Sequence, residues 1–205
     1  MIRFPLRPAV LGLAAALAAL ACGDAAAADG VRVRGTVVNV AGDTLLVKSR
    51  DGDNVSIKLD LGWKAGGIAK ASLADIKPGD FVGIASLPNA KGGDGALEVL
   101  IFPPAMRGTG EGSYGWDLKP NSSMTNGAVS EAVQSVDGTT VNVVYHGQSK
   151  KIVIAPGTPI VTFAPAVNAE VKPGAAVFVP AERAEDGKLS TTRVVVGKDG
   201  IVPPM

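Results

Sequence analysis

Gly35-Thr-Val-Val-Asn-Val-Ala-Gly-Asp-Thr-Leu-Leu-Val47 returns later in the chain as Glu131-Ala-Val-Gln-Ser-Val-Asp-Gly-Thr-Thr-Val-Asn-Val143. Two further blocks return in the same order. Ile76-Lys-Pro-Gly-Asp-Phe-Val-Gly-Ile84 matches Val171-Lys-Pro-Gly-Ala-Ala-Val-Phe-Val179, and Gly95-Ala-Leu-Glu-Val-Leu-Ile-Phe102 is echoed at 187–196. Ordered blocks at nearly constant spacing mark a duplicated unit. Apolar and polar residues alternate within them, as in half-buried strands.

Outward from the first block, 31–40 reads as a strand, Ala41-Gly42-Asp43 as a turn, and 44–49 as the returning strand. Asp51-Gly52 is a hairpin signal before a third strand at 54–59. Ser72-Leu-Ala-Asp75 has capping-box spacing and predicts one helical turn. Lys77-Pro-Gly-Asp80 then launches strands at 81–87 and 96–102. Three strands, a connector and two strands is the order of an OB-like barrel. The second unit repeats it at 128–136, 139–146, 149–154, 175–179 and 189–196, with an added short strand at 160–163. Pro156, Pro159 and Pro165 exclude a regular helix from its connector. The tail 202–205 reads as frayed or lying along the surface. The fold class is therefore mainly β: two tandem OB-like small β-barrel units, 29–102 and 128–205, joined by an ordered central segment, 103–127, after a signal peptide, 1–28.

Arg3 and Arg7 followed by an apolar run from Ala9 to Leu20 form an export signal, which implies a periplasmic location. That run is shorter than the roughly 20 apolar residues of a membrane-spanning helix, and no later stretch is longer. Ala26-Ala27-Ala28 suits cleavage before Asp29; the alternative is a lipid anchor on Cys22, in a poor lipoprotein box. Cleavage after Ala28 removes the single Cys and leaves 18 basic against 18 acidic residues. A neutral balance argues against a nucleic-acid partner.

The segment 103–127 differs from both units. It is rich in Gly yet carries Met106, Tyr114, Trp116 and Met124, residues unsuited to a bare linker. Its Arg107, Glu111, Tyr114, Trp116, Asp117 and Asn126 are the candidate ligand-binding residues, for a small molecule, a peptide or an envelope protein. The competing reading makes Trp116 and Met124 the apolar glue between the units.

Other chemistry has less to stand on. His146 is the only histidine, so a transition-metal site would need carboxylates for most ligands. Asp51-Gly-Asp53-Asn54 lacks the later ligands of a calcium loop and reads as a hairpin tip. Ser113, Ser122, Ser123 and Ser130 have only His146 as an imidazole base. Glu111 and Asp117 would serve acid–base chemistry only if the fold brought them together. No catalytic residue, metal ligand or cofactor is assigned.

With Val33-Arg-Gly-Thr-Val37, Ile76-Lys-Pro-Gly-Asp80, Met106-Arg-Gly-Thr-Gly-Glu111-Gly, Trp116-Asp117-Leu and Met124-Thr-Asn126, the chain resembles a family of uncharacterised exported bacterial proteins with OB-like β repeats. The resemblance covers 29–205 and implies a periplasmic protein of that fold. Some members are labelled metal transporter permeases, which implies, as an alternative role, an accessory protein for metal handling. Relatives carry a His before the aromatic part of the central motif, where this chain has Ser113-Tyr114, and that weakens the metal reading. A non-enzymatic binding or scaffolding role is the expectation, with an envelope enzyme using central carboxylates as a second alternative.

Overall fold

The computed structural model describes residues 29–204 apart from 91, 136 and 137; the expected export signal, 1–28, and Cys22 lie outside the described residues. Twelve strands run in chain order: β1 (Asp29–Ala41), β2 (Thr44–Ser49), β3 (Asn54–Lys70), β4 (Phe81–Pro88), β5 (Asp94–Ile101), β6 (Gly112–Trp116), β7 (Ser122–Ser135), β8 (Gly138–Tyr145), β9 (Gln148–Ile154), β10 (Ile160–Ala164), β11 (Ala176–Arg183) and β12 (Leu189–Gly197). The chain is mainly β, as its alternation requires. The capped turn expected at 72–75 is present, with the Ser72 N–H donating to Asp75 Oδ2 over 2.8 Å.

Strand pairing closes two rings. In ring 1, β1 pairs β2, β2 pairs β3, β3 runs parallel to β12, β12 pairs β11, and β11 returns to β1. In ring 2, β5 pairs β4, β4 pairs β7, β7 pairs β8, β8 pairs β9, and β9 runs parallel to β5. The pairing does not follow the expected units 29–102 and 128–205. Ring 2 is one continuous stretch, 81–154, inserted between the third and fourth strands of ring 1. Each ring thus takes three strands from one repeat and two from the other. The expected connecting segment, 103–127, therefore lies within ring 2, where β6 and the start of β7 form a hairpin.

Period-two alternation fills each ring with branched side chains. Val33, Val37, Leu45, Val47, Ile57, Leu59, Val177 and Val179 meet inside ring 1, and Val82, Ile84, Val99, Val129, Val141, Val143, Ile152 and Ile154 inside ring 2. A third core of Ile68, Phe81, Leu100, Phe102, Val161, Phe178 and Val195 lies where outer faces of the rings meet. The short strand β10 joins them, antiparallel to β3 and parallel to β5.

Two glycines fix the true equivalence of the repeats. A Cβ on Gly35 would lie 2.0 Å from the Lys48 carbonyl oxygen, and one on Gly127 would lie 2.4 Å from that of Val144. Each is followed two residues on by a core valine, Val37 or Val129, and then by a one-residue bulge. The first strands therefore align Gly35 with Gly127, rather than with Glu131 as the sequence blocks suggest. Strand β3 also runs past its expected end, because a bulge carrying Gly62 (φ 78°) lets it resume at Lys64 beside Arg193. The tail is not frayed: Pro203 and Pro204 are buried, and Arg50 donates to the Pro203 carbonyl over 3.3 Å.

Candidate functional site

The six residues picked from the sequence fall into two groups along β6. At its start, Asn126 of β7 lies opposite Gly112 and is buried. Its Nδ2 donates to the Thr109 carbonyl and to Tyr114 Oη, each over 3.2 Å. Gly83 sits opposite it on β4, and a Cβ there would come within 2.7 Å of Asn126 Oδ1, so this position admits little more than Gly. Glu111 Oε1 accepts the backbone N–H of His146 over 2.9 Å. The Arg107 guanidinium donates to the Gly79 carbonyl of the Lys-Pro-Gly-Asp turn. Arg107, Glu111, Tyr114 and Asn126 therefore brace the Gly-rich loop against ring 2.

At the other end of β6, Trp116 and Asp117 reach ring 1. Residues 31–34 alternate Val and Arg, so while Val33 points into ring 1 its neighbours Arg32 and Arg34 point outward. The Arg32 guanidinium carbon lies 4.0 Å from the Trp116 ring centroid, within cation–π range, and that of Arg34 lies 5.9 Å away. Arg34 Nη2 donates to Asp117 Oδ1 over 2.8 Å, with Arg32 3.8 Å from the same oxygen. Tyr114 packs edge-on against Trp116 at 6.2 Å and joins the two groups. The Trp116 indole N–H is buried without an acceptor among the described residues.

Ring 2 contributes one more charge. Glu98 on β5 is 3% exposed, and burial pushes its carboxyl up to about 7 against the pull of Arg34 and Arg50. Arg50 is shifted down by burial and by the neighbouring charge of Arg34. Burial would raise Asp117 as well, but the hydrogen bond and charge of Arg34, with Arg32, hold it below the usual carboxylate range. Arg32, Arg34, Ser49, Arg50, Asp117 and Leu118 bound a cleft of about 290 Å³. A larger groove of about 900 Å³ crosses ring 1 between 43–60 and 183–190, but no residue of the central segment lines it and its Lys188 is paired with Asp186.

Arg32, Arg34, Arg50 and Glu98 were not singled out by sequence reasoning. The alternation at 31–34 places both arginines on one outer strand face; nothing local marks Glu98, whose partners lie on the other ring.

Two catalytic arrangements do not assemble. Glu111 and Asp117 bracket β6 at opposite ends, roughly 20 Å apart at the strand rise, each bound elsewhere. Ser123 Oγ lies 2.9 Å from Lys150 Nζ, but that ammonium is ion-paired to Asp94 at 2.8 Å, which favours its charged form over a free base. Among the described residues no three of His, Cys, Asp and Glu gather as metal ligands. Compared with protein-family models, curated proteins and solved structures, the chain matches none of them.

Proposed function

We propose that this chain is an exported periplasmic protein with a non-enzymatic binding or scaffolding role, exercised through the segment 106–126. The observation that carries the reading is the junction at Trp116. An aromatic pair, a stacked Arg32 and the Arg34–Asp117 pair meet beside an open cleft, brought together from residues about 80 apart in sequence. Apolar faces with a few fixed polar groups are what small ligands and extended peptides use. The OB-like description is supported by the order within each ring: a three-strand meander closed by an antiparallel pair, one strand of which runs parallel to the third.

The test is native mass spectrometry of protein purified from the periplasm without added metal. A retained adduct on the wild-type chain, lost in a folded Trp116→Ala, Asp117→Ala variant, is the expected result. Equal retention by that variant would remove the segment as the binding surface.

A further inference from the structure

We propose that β6 is an open sheet edge that takes up an extended, acidic peptide segment as an added strand. The inference rests on 106–126 being the functional surface and names the partner chemistry of that surface.

Strand β6 pairs β7 on one side and no described strand on the other. Which of its main-chain groups face outward follows from the far side of β7. Val129 donates its N–H to the Asp80 carbonyl and accepts the Gly79 N–H. Backbone groups of an extended strand point alternately to its two sides, so Gly127, Thr125 and Ser123 also face β4, while Asn126 and Met124 face β6. Their partners Gly112 and Tyr114 therefore turn toward β7, and Ser113 and Gly115 turn away from it. The N–H and C=O groups of Ser113 and Gly115 make no hydrogen bond among the described residues, and both residues are exposed. A Cβ built on Gly115 meets nothing within 4 Å. Two alternate residues with both groups open are what an incoming strand engages, with main-chain bonds supplying the affinity and alternate side chains the specificity.

The surroundings say what that strand carries. Tyr114 and Trp116 lie on one face of β6, with Tyr114 40% exposed, so an incoming apolar residue has aromatic neighbours. At the Trp116 end stands Arg32, its guanidinium carbon 4.0 Å from the indole centroid and its side chain 34% exposed. The carboxylate oxygen beside it, Asp117 Oδ1, is 3.8 Å away and already accepts Arg34 over 2.8 Å. Arg32 itself donates no hydrogen bond among the described residues, so its fork of N–H groups is available to an incoming carboxylate. At the other end the edge stops, because β8 takes over the same side of β7 from Ala128 onward. An edge of five residues bounded in this way fits a short segment whose acidic residue lies at the Trp116 end.

The probe is a library of capped peptides of about eight residues, alternating Val or Thr with freely varied positions, screened against the chain purified from the periplasm. Selected peptides should carry Asp or Glu at a fixed position. Their binding should slow amide exchange at Ser113 and Gly115, which exchange fast in the free chain, and leave Tyr114 unchanged. Gly115→Pro removes one outward N–H and keeps the β6–β7 ladder, so affinity should fall about tenfold or more. Arg32→Gln should abolish the preference for Asp or Glu. Should Gly115→Pro not fold, N-methylation of the peptide at the residues facing β6 tests the same bonds and should abolish binding. The proposal is overturned by a library without binders, by selected peptides without an acidic residue, or by Ser113 and Gly115 already protected in the free chain. Full affinity of Gly115→Pro or of the N-methylated peptide overturns it too, as does self-association through β6 in place of peptide uptake. Binding kept in Gly115→Pro but lost in the Trp116→Ala, Asp117→Ala variant would end strand addition and leave the surface standing, whereas binding kept in both would end both.

Discussion

Ring 1 closes along β3 and β12 from Ile57 opposite Leu189 to Ile68 opposite Gly197, whereas ring 2 closes on β5 and β9 at Asp94 opposite Ile152 and Gly95 opposite Val153. The longer ladder belongs to the ring whose strands are far apart in sequence. Ring 1 must bring 29–70 and 176–197 together across the inserted ring 2, and long-range closure costs chain entropy that many paired residues offset. Ring 2 is continuous and needs less. Its short seam is instead pinned by the Lys150–Asp94 ion pair, which Ser86 and Ser123 extend to β4 and β7 through bonds of 2.7 and 2.9 Å. Closure by backbone and closure by side chain should therefore fail in different ways.

The largest effect should come from the shared device. Gly35→Ala in ring 1 and Gly127→Ala in ring 2 each drive a Cβ into a carbonyl oxygen, so each should cost about 3 kcal/mol or more in chemical unfolding. Equal losses in one transition would make the rings a single cooperative unit. Two separate transitions would sharpen the contrast between them.

Next in size is Lys150→Met, which strands the Asp94 carboxylate in a half-buried seam at a cost of about 2–4 kcal/mol. Hydrogen exchange should quicken along β5 and β9 and stay unchanged along β3 and β12. Equal quickening in both rings would show that the seam of ring 2 is not independently pinned.

Glu98 gives a smaller effect that depends on pH. Its folded value, near 7, lies above its unfolded value of 4.5, so the folded state holds a proton that the unfolded state has lost between them. Stability should fall as pH rises through that window, by at most about 3 kcal/mol. Glu98→Gln should flatten the thermal midpoint against pH and be the more stable chain at alkaline pH. A slope unchanged by the substitution would assign it to another group.

Asp117→Asn should be mildest, about 1 kcal/mol or less at neutral pH, because half of this carboxylate faces water. Its folded value is depressed, so its contribution is present above the ordinary carboxylate range and lost as pH falls through the folded value. Wild type and variant should therefore converge in thermal midpoint at acid pH. A gap that stays constant would point to lost packing rather than lost charge.

Strand identity was largely legible because alternation is local: 44–49, 81–87 and 149–154 fall within a residue or so of β2, β4 and β9. Partner choice was not. The two repeats carry similar strand pairs, so either pair can complete either meander, and short-range pattern is blind to which does so. Equivalence between the first strands was obscured by longer β7–β8 arms, which shift Val-rich text by four residues without moving Gly127. Strand β6 was missed because Gly-Ser-Tyr-Gly-Trp is short, has no β-branched residue and carries two glycines; pairing with β7 holds it extended. The aromatic and acidic residues of the site were visible as an odd composition. Their arginine partners were visible only as strand pattern, and Glu98 only through burial.

The insertion of one ring inside the other also sets a schedule. As the chain emerges, β1, β2 and β3 form a meander whose outer edges lack their ring partners until β11 and β12 are made, more than a hundred residues later. Ring 2 is complete at Ile154, only a short stretch before β11 begins at Ala176. For most of the interval the open sheet has only an unfinished ring 2 beside it, and then a finished one, with two sticky edges exposed throughout, the situation in which chains aggregate or recruit a neighbour's strands. The last two strands, rather than the first five, decide when the protein becomes safe to release.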